Sequence, residues 1–142
     1  MTPDQLAQAC ADAMWREDQA SQHLGMTIER VAPGEATLAM TIGPQMVNGH
    51  KTCHGGYIFT LADSAFAFAC NAYNQRCVAQ HTSITFIRPA RQGDRLTATG
   101  REVSRTGKSG IYDISVTNQD GALIAEFRGH SRAIPGTILD DA

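Results

Sequence analysis

The stretch Gly55-Gly-Tyr-Ile-Phe-Thr-Leu-Ala-Asp63-Ser-Ala-Phe-Ala-Phe-Ala-Cys70 decides how this chain is read. It is rich in alanine and apolar on nearly all sides. Such a helix belongs inside other elements, not on a surface. Two features break its monotony. Between Glu35 and Asp94 the only carboxylate is Asp63, in the middle of this run. An unpaired, ionised carboxylate in apolar surroundings costs on the order of several kcal/mol. Its presence there points to a base or nucleophile facing a cavity. At the other end, His54-Gly55-Gly56 opens the helix. A helix start offers unpaired N–H groups and the positive end of the dipole, and two glycines let a ligand approach that backbone closely. The oxygen of a polarised carbonyl suits such a place, where one good donor is worth roughly 3 kcal/mol in a transition state.

The spacing of these two features makes a demand. Gly55 and Asp63 are eight positions apart, or about 12 Å along a helix. For both to act on one carbonyl, the carboxylate must come from a second copy of the chain. Two antiparallel central helices related by a two-fold axis achieve this twice.

Outward from the helix, the pattern changes period. On the N-terminal side, Thr2 caps a helix that begins at Pro3 and runs to about Ser21, with Leu6, Cys10, Ala13 and Met14 on one face. Met26 and Ile28 mark a first strand that turns at Pro33-Gly34. Leu38, Met40 and Ile42 alternate with polar or small residues in a second. Gln45–His54 reads as a loop. On the C-terminal side, strands are expected over 83–88, from Leu96 to Val103, over 111–117 and over 122–128. Turns at 91–94, 107–110 and 118–121 join them. The order predicts an α+β fold in which a curved antiparallel sheet wraps the long central helix, with an additional N-terminal helix. One domain over residues 1–142 is expected from the length.

Composition narrows the function. The 12 basic and 14 acidic side chains give a net charge of -2, so the general basic field of a nucleic-acid binder is absent. The first 15 residues carry no basic residue and read as no export or transit signal. The stretch Tyr57–Tyr73 is interrupted by Asp63, Ser64 and Asn71 and makes a poor membrane span. Cys10, Cys53, Cys70 and Cys77 form no CxxC pair and read as free thiols of a reducing, cytoplasmic compartment. His50, Cys53 and His54 lack a second cluster at zinc spacing, so no metal is expected. Gly107-Lys108-Ser109 lacks the first glycine of a P-loop, since Glu102 stands there. No GxSxG exists, and Ser64 has no base at helical spacing. His81 is either a strand-end core residue or a pocket residue.

The segments Asn48-Gly-His-x-x-Cys-His-Gly-Gly56 and Leu61-Ala-Asp-Ser-Ala-Phe-Ala-Phe-Ala-Cys-Asn71 together resemble the PaaI group of hotdog-fold acyl-CoA thioesterases. Ser83-Ile-Thr-Phe-Ile-Arg-Pro89, Gly107-Lys-x-Gly-Ile-Tyr112-Asp-Ile and Phe127-Arg-Gly129 extend the likeness over nearly the whole chain. The resemblance implies the hotdog fold and a dimer with two composite sites, usually paired into a homotetramer. It implies hydrolysis of CoA thioesters, with hydroxylated phenylacetyl-CoA of phenylacetate degradation as the substrate class, and no cofactor. Asp63 matches the family's catalytic carboxylate and Gly55 the backbone donor to the thioester oxygen, with Gly56 beside it. Asn48 and His54 match the accompanying polar residues. Related human-type thioesterases place a serine in the strand after the helix, which makes Ser83 a candidate for positioning water. Arg88, Arg91, Arg105, Lys108 and Arg128 are candidates, by loop position, for the CoA phosphates. The rival readings are a hotdog hydratase or dehydratase using His54, and an acyl-CoA-binding module without turnover.

Overall fold

A computed structural model describes residues 1–140. Asp141 and Ala142, the last positions of the expected domain, lie outside the described residues. Helix α1 (Pro3–Glu17) starts at a complete capping box, in which Thr2 accepts from the Gln5 N–H and the Gln5 side chain returns a bond to Thr2. It ends four residues before the expected Ser21. Asp18 interrupts it and caps the short α2 (Gln19–His23) by accepting from the Ser21 N–H. Strands β1 (Thr27–Ala32) and β2 (Glu35–Thr41) follow, joined through Gly34 at φ 70°. A single 3-10 turn at Pro44–Met46 leads into the loop before α3 (Gly55–Cys70). Then come β3 (Cys77–Phe86), β4 (Arg95–Thr106), β5 (Ser109–Thr117) and β6 (Leu123–Ala133).

The six strands form one antiparallel sheet in the order β1-β2-β4-β5-β6-β3. Helix α3 packs across it, chiefly on β2, β4 and β5, and buries Ile58, Leu61, Ala62, Ala65, Phe66, Phe68 and Ala69. Phe66 is the keystone. Its ring lies 5.7 Å from Tyr112 and 5.9 Å from Phe127. Trp15 of α1 meets Phe68 at 6.3 Å, so the N-terminal helix covers the far end of α3. Ser64 is part of this join: its hydroxyl pairs with Ser21, which also donates to Asp18. That occupies Ser64 structurally.

Three strands differ from what the sequence pattern suggests. β3 starts at Cys77 instead of Ser83, because it is an edge strand whose first half is exposed and shows no apolar alternation. β6 runs on to Ala133 because its inward positions Gly129 and Ser131 are small or polar and give no hydrophobic signal. β4 extends to Thr106, so the β4–β5 turn is tighter than expected: Thr106 pairs with Ser109 across Gly107 and Lys108, with Gly107 at φ 61°.

Gly129 is small for a reason that α3 supplies. A Cβ there would sit 2.7 Å from Phe66 Cζ, and Phe66 is held by its two aromatic neighbours. Gly129→Ala is therefore expected to destabilise the fold by about 1–3 kcal/mol through overpacking. Urea unfolding of the variant, compared with the parent chain, measures this as a lowered midpoint at unchanged slope.

Candidate active site at the start and exposed stripe of the central helix

The loop before α3 is fastened from both sides. His54 N–H donates to Met46 O at 2.7 Å, Asn48 N–H to Thr52 O at 2.9 Å, and Cys53 N–H to Ala90 O at 2.7 Å. Within the loop, Asn48 Oδ1 accepts from the N–H groups of His50 and Thr52 and from the Thr52 hydroxyl. Its carbonyl oxygen is thus committed to shaping residues 48–52. His54 caps α3: its Nδ1 accepts from the Gly56 N–H at 2.9 Å. An acceptor at Nδ1 places the proton of the neutral ring on Nε2. The Gly56 donor is thereby used. The Gly55 N–H has no hydrogen-bond partner among the described residues. It is the one donor of the Gly55-Gly56 pair left for a ligand.

Gly55 opens on a groove of about 450 Å³ lined by Thr52, Cys53, Ile58, Phe86, Ile87 and Arg88. The Phe86 ring closes over Gly55 so tightly that a Cβ would meet it at 2.8 Å. Phe86 is half-exposed at the end of β3. The groove combines apolar walls, a backbone donor at the base, and one cation, Arg88, whose guanidinium is steadied by donating to Leu123 O at 3.1 Å.

Asp63 lies two turns further along α3. Contrary to the all-round burial expected, one stripe of the helix is uncovered: Gly56, Thr60, Asp63 and Ala67 are exposed or half-buried. These positions recur at intervals of four, three and four, one face of an α-helix. The Asp63 carboxylate has no hydrogen bond or ion pair among the described residues. Burial among apolar neighbours raises its proton affinity above the usual carboxylate range. β3, which touches α3, pairs only with β6, and its other edge is open among the described residues.

The sheet register sorts the other expected residues. A Cβ on Gly129 points into Phe66 of α3, so its row faces the helix. Arg128, one position earlier, faces away. Ser83 pairs with Arg128, and it therefore lies on the sheet face remote from α3. The residue beside Gly129 on the helix side is the half-buried Thr82. Sequence reasoning missed it because a one-residue choice of phase exchanges the two faces. Arg128 is held by Asp113 in a two-pronged ion pair, Nε–Oδ1 at 2.6 Å and Nη2–Oδ2 at 2.9 Å. This holds the Asp113 carboxyl below its ordinary range. Arg128 is thus a cation already matched on the outer face. Arg91 is exposed in the turn before β4, where its N–H donates to Asp94. Lys108 and Arg105 line a crevice with Cys70, at the end of α3 opposite Gly55. His81 is exposed on β3 beside His130, 5.5 Å between ring centroids, so it is no core residue. The described residues hold no cluster of three or more metal-ligating side chains. No described helix is long and apolar enough to cross a membrane.

A helix wrapped by a six-stranded antiparallel sheet, with a free donor at its start and a lone carboxylate on its open stripe, defines a hotdog-fold thioester hydrolase. The chain belongs to the thioesterase superfamily, whose family model matches residues 50–125. It is similar to the acyl-coenzyme A thioesterase PaaI of Escherichia coli, at 44% identity over 93% of this chain and 94% of that protein. The solved structure of the E. coli PaaI protein from the phenylacetic acid degradation operon superimposes with a TM-score of 0.94. It covers 96% of this chain and 99% of its own, at 42% identity. The TT0310 protein of Thermus thermophilus aligns at 34% identity and a TM-score of 0.80, over 82% of this chain and 98% of that one.

The strained state of Asp63 has a measurable consequence. Because the folded chain disfavours the ionised form, Asp63 subtracts from stability above its raised pKa. The subtraction fades as pH falls towards the ordinary value of 3.8. Asp63→Asn is expected to unfold at a higher temperature than the parent at pH 7, with the gap closing below that pH. Thermal melts of both chains across pH 3–8 check the sign.

Proposed function

We propose that this thioesterase hydrolyses aryl-CoA thioesters, hydroxylated phenylacetyl-CoA above others, to the free acid and CoA in the cytoplasm. The likeness to E. coli PaaI over both full lengths supports the substrate class. The observation that carries the mechanism is the pairing of one unused donor, the Gly55 N–H, with one unpartnered carboxylate, Asp63, on a single helix. The thioester oxygen accepts from Gly55 N–H, aided by the N-terminal end of the α3 dipole. His54 offers its Nε2–H beside it, and Asn48 keeps the loop in shape. Asp63 of a second copy takes a proton from water as that water attacks the carbonyl carbon. Its raised proton affinity suits a general base. Collapse of the tetrahedral intermediate expels the CoA thiolate.

The second copy is required by distance, since Gly55 and Asp63 of one chain are about 12 Å apart along α3. β3 has an open edge and α3 an uncovered stripe, and both suit a two-fold partner. We read the protein as a homodimer with composite sites, paired further into a homotetramer. In an antiparallel pair, the C-terminal end of one α3 lies beside the partner's start. Lys108 and Arg105 of one chain then join Arg88 and Arg91 of the other around the nucleotide end of CoA. Arg128 and Ser83, on the outer sheet face, take no part in this reading.

Asp63→Asn should retain substrate binding and lose about 10²- to 10⁴-fold in kcat. Gly55→Pro is the matching lesion at the donor. Proline is accepted at the first position of a helix, and His54 already has the extended conformation, φ -60° and ψ 131°, that proline requires before it. The half-exposed Phe86 ring, 2.8 Å from the new Cβ, must swing aside, so the lesion removes the donor and disturbs the groove wall of the same chain. Each homodimer should be nearly inactive. Mixed dimers should recover one good site, built from Gly55 of one chain and Asp63 of the other. Subunit exchange without recovery of thiol release would place the site within one chain.

The role of the groove cation has its own signature. Arg88→Glu should raise KM roughly five- to tenfold while changing kcat less, because the phosphates lie far from the bond broken. Steady-state assays with phenylacetyl-CoA at two ionic strengths measure both constants, and the variant should also lose salt dependence.

A further inference from the structure

Two of the four cysteines are brought together at the foot of α3, away from the groove. Cys70 is the last residue of the helix and Cys77 the first of β3. Asn71 between them acts as a clamp. Its Oδ1 accepts from the Cys77 N–H at 2.8 Å, and its Nδ2 donates to Cys77 O at 3.2 Å and approaches Cys70 Sγ at 3.6 Å. The two cysteines line one crevice with Arg105 and Lys108. Their exposure is unequal. Cys70 is buried, whereas Cys77 is half-buried and also lines a separate cleft of about 490 Å³ with Ala13, Met14, Asn71 and Arg76.

We propose that Cys77 and Cys70 form a peroxide-sensitive dithiol site, in which the accessible Cys77 reacts first and the sheltered Cys70 resolves it to an intramolecular disulfide. In the first step the Cys77 thiolate attacks one oxygen of hydrogen peroxide. The O–O bond breaks, the departing hydroxide takes a proton, and Cys77 becomes a sulfenic acid with release of water. In the second step Cys70, giving up its proton, attacks the Cys77 sulfur. The S–O bond breaks and the oxygen leaves as a second water. Two thiols are oxidised by two electrons and one peroxide is reduced to two waters.

The chemical setting supports this order. The neighbouring Cys70 thiol and the Arg105 cation lower the Cys77 thiol to about 7, while the same pairing with Cys77 and burial keep Cys70 protonated. Arg105 is itself fixed, its guanidinium 3.8 Å over the Tyr73 ring. The other two cysteines are unsuited. Cys10 and Cys53 are buried, and burial raises both thiols, Cys53 to about 11. The bridge would tie the end of α3 to the start of β3, two turns of helix beyond Asp63. It uses neither the Gly55 groove nor Asp63, although its crevice is shared with Arg105 and Lys108, which the proposed function places at the nucleotide end of CoA. The chemistry needs no bound substrate, so its test is independent of that reading.

The test is a peptide map of the full-length protein after one equivalent of hydrogen peroxide at pH 7, with free thiols blocked by N-ethylmaleimide. A disulfide link between the Cys70 and Cys77 peptides, released by dithiothreitol, is expected, with Cys10 and Cys53 alkylated. Without peroxide, iodoacetamide should label Cys77 at least about tenfold faster than Cys53. In Cys70→Ala, a dimedone adduct should accumulate on Cys77. Four alkylated cysteines after peroxide, a bridge only between chains, oxidation centred on Cys10 or Cys53, or equal labelling of Cys77 and Cys53 would each overturn the proposal. The map and the labelling rates use the parent chain, so a variant that fails to fold leaves the outcome decided.

Discussion

The burial of α3 is the constraint on which the rest depends. Leu61, Ala62, Ala65, Phe66 and Phe68 leave this helix no polar face wide enough for water, so it persists only while the sheet encloses it. The sheet meets that requirement with small residues where the helix comes closest. Gly129 accommodates Phe66, and Gly100 lies where a Cβ would touch Ile114, Ala36 O and Ala65 O. Dense packing of this kind transmits position accurately. It fixes where the helix begins, and so where the Gly55 N–H points. It also fixes which stripe stays open, and so where Asp63 stands.

The same enclosure explains the electrostatics. Asp63 is desolvated by the helix's own surroundings but faces the uncovered stripe, which keeps it unpaired instead of locked in an ion pair. The outer sheet face follows the opposite rule. There Arg128 and Arg101 flank Asp113, Arg30 meets Glu35 on the adjoining strand, and Arg95 of β4 reaches past β2 to Glu29 of β1. Asp113 balances two arginines that face it in register from the strands on either side. Among the described cations without an ion pair, Arg88, Arg91 and Lys108 stand at loop ends, where no strand partner faces them.

Much of this was legible in the chain. The absence of any carboxylate between Glu35 and Asp94 except Asp63, and the glycine pair after His54, mark the two poles of the proposed site without coordinates. The order of elements was legible too, because periods of 3.6 and 2 differ clearly in α3 and β2. Strand ends were not. Cys77–Thr82 lies on an open edge and carries no alternation, and Gly129 and Ser131 conceal the inward face of β6.

Sequence by itself determined the central helix, its glycine entrance, its lone acid and the α+β order, since these rest on local periodicity and on residue types that suit a helix start or a cavity. Tertiary structure alone decided four things. Ser83 and Arg128 turn away from α3 while Thr82 turns toward it, Asn48 is bound into its loop, Phe86 lies over Gly55, and Cys70 and Cys77 line one crevice. Each depends on strand register or on contacts between distant segments. A shift of one residue reverses every side chain of a strand, and no local pattern in a polar edge strand specifies that phase.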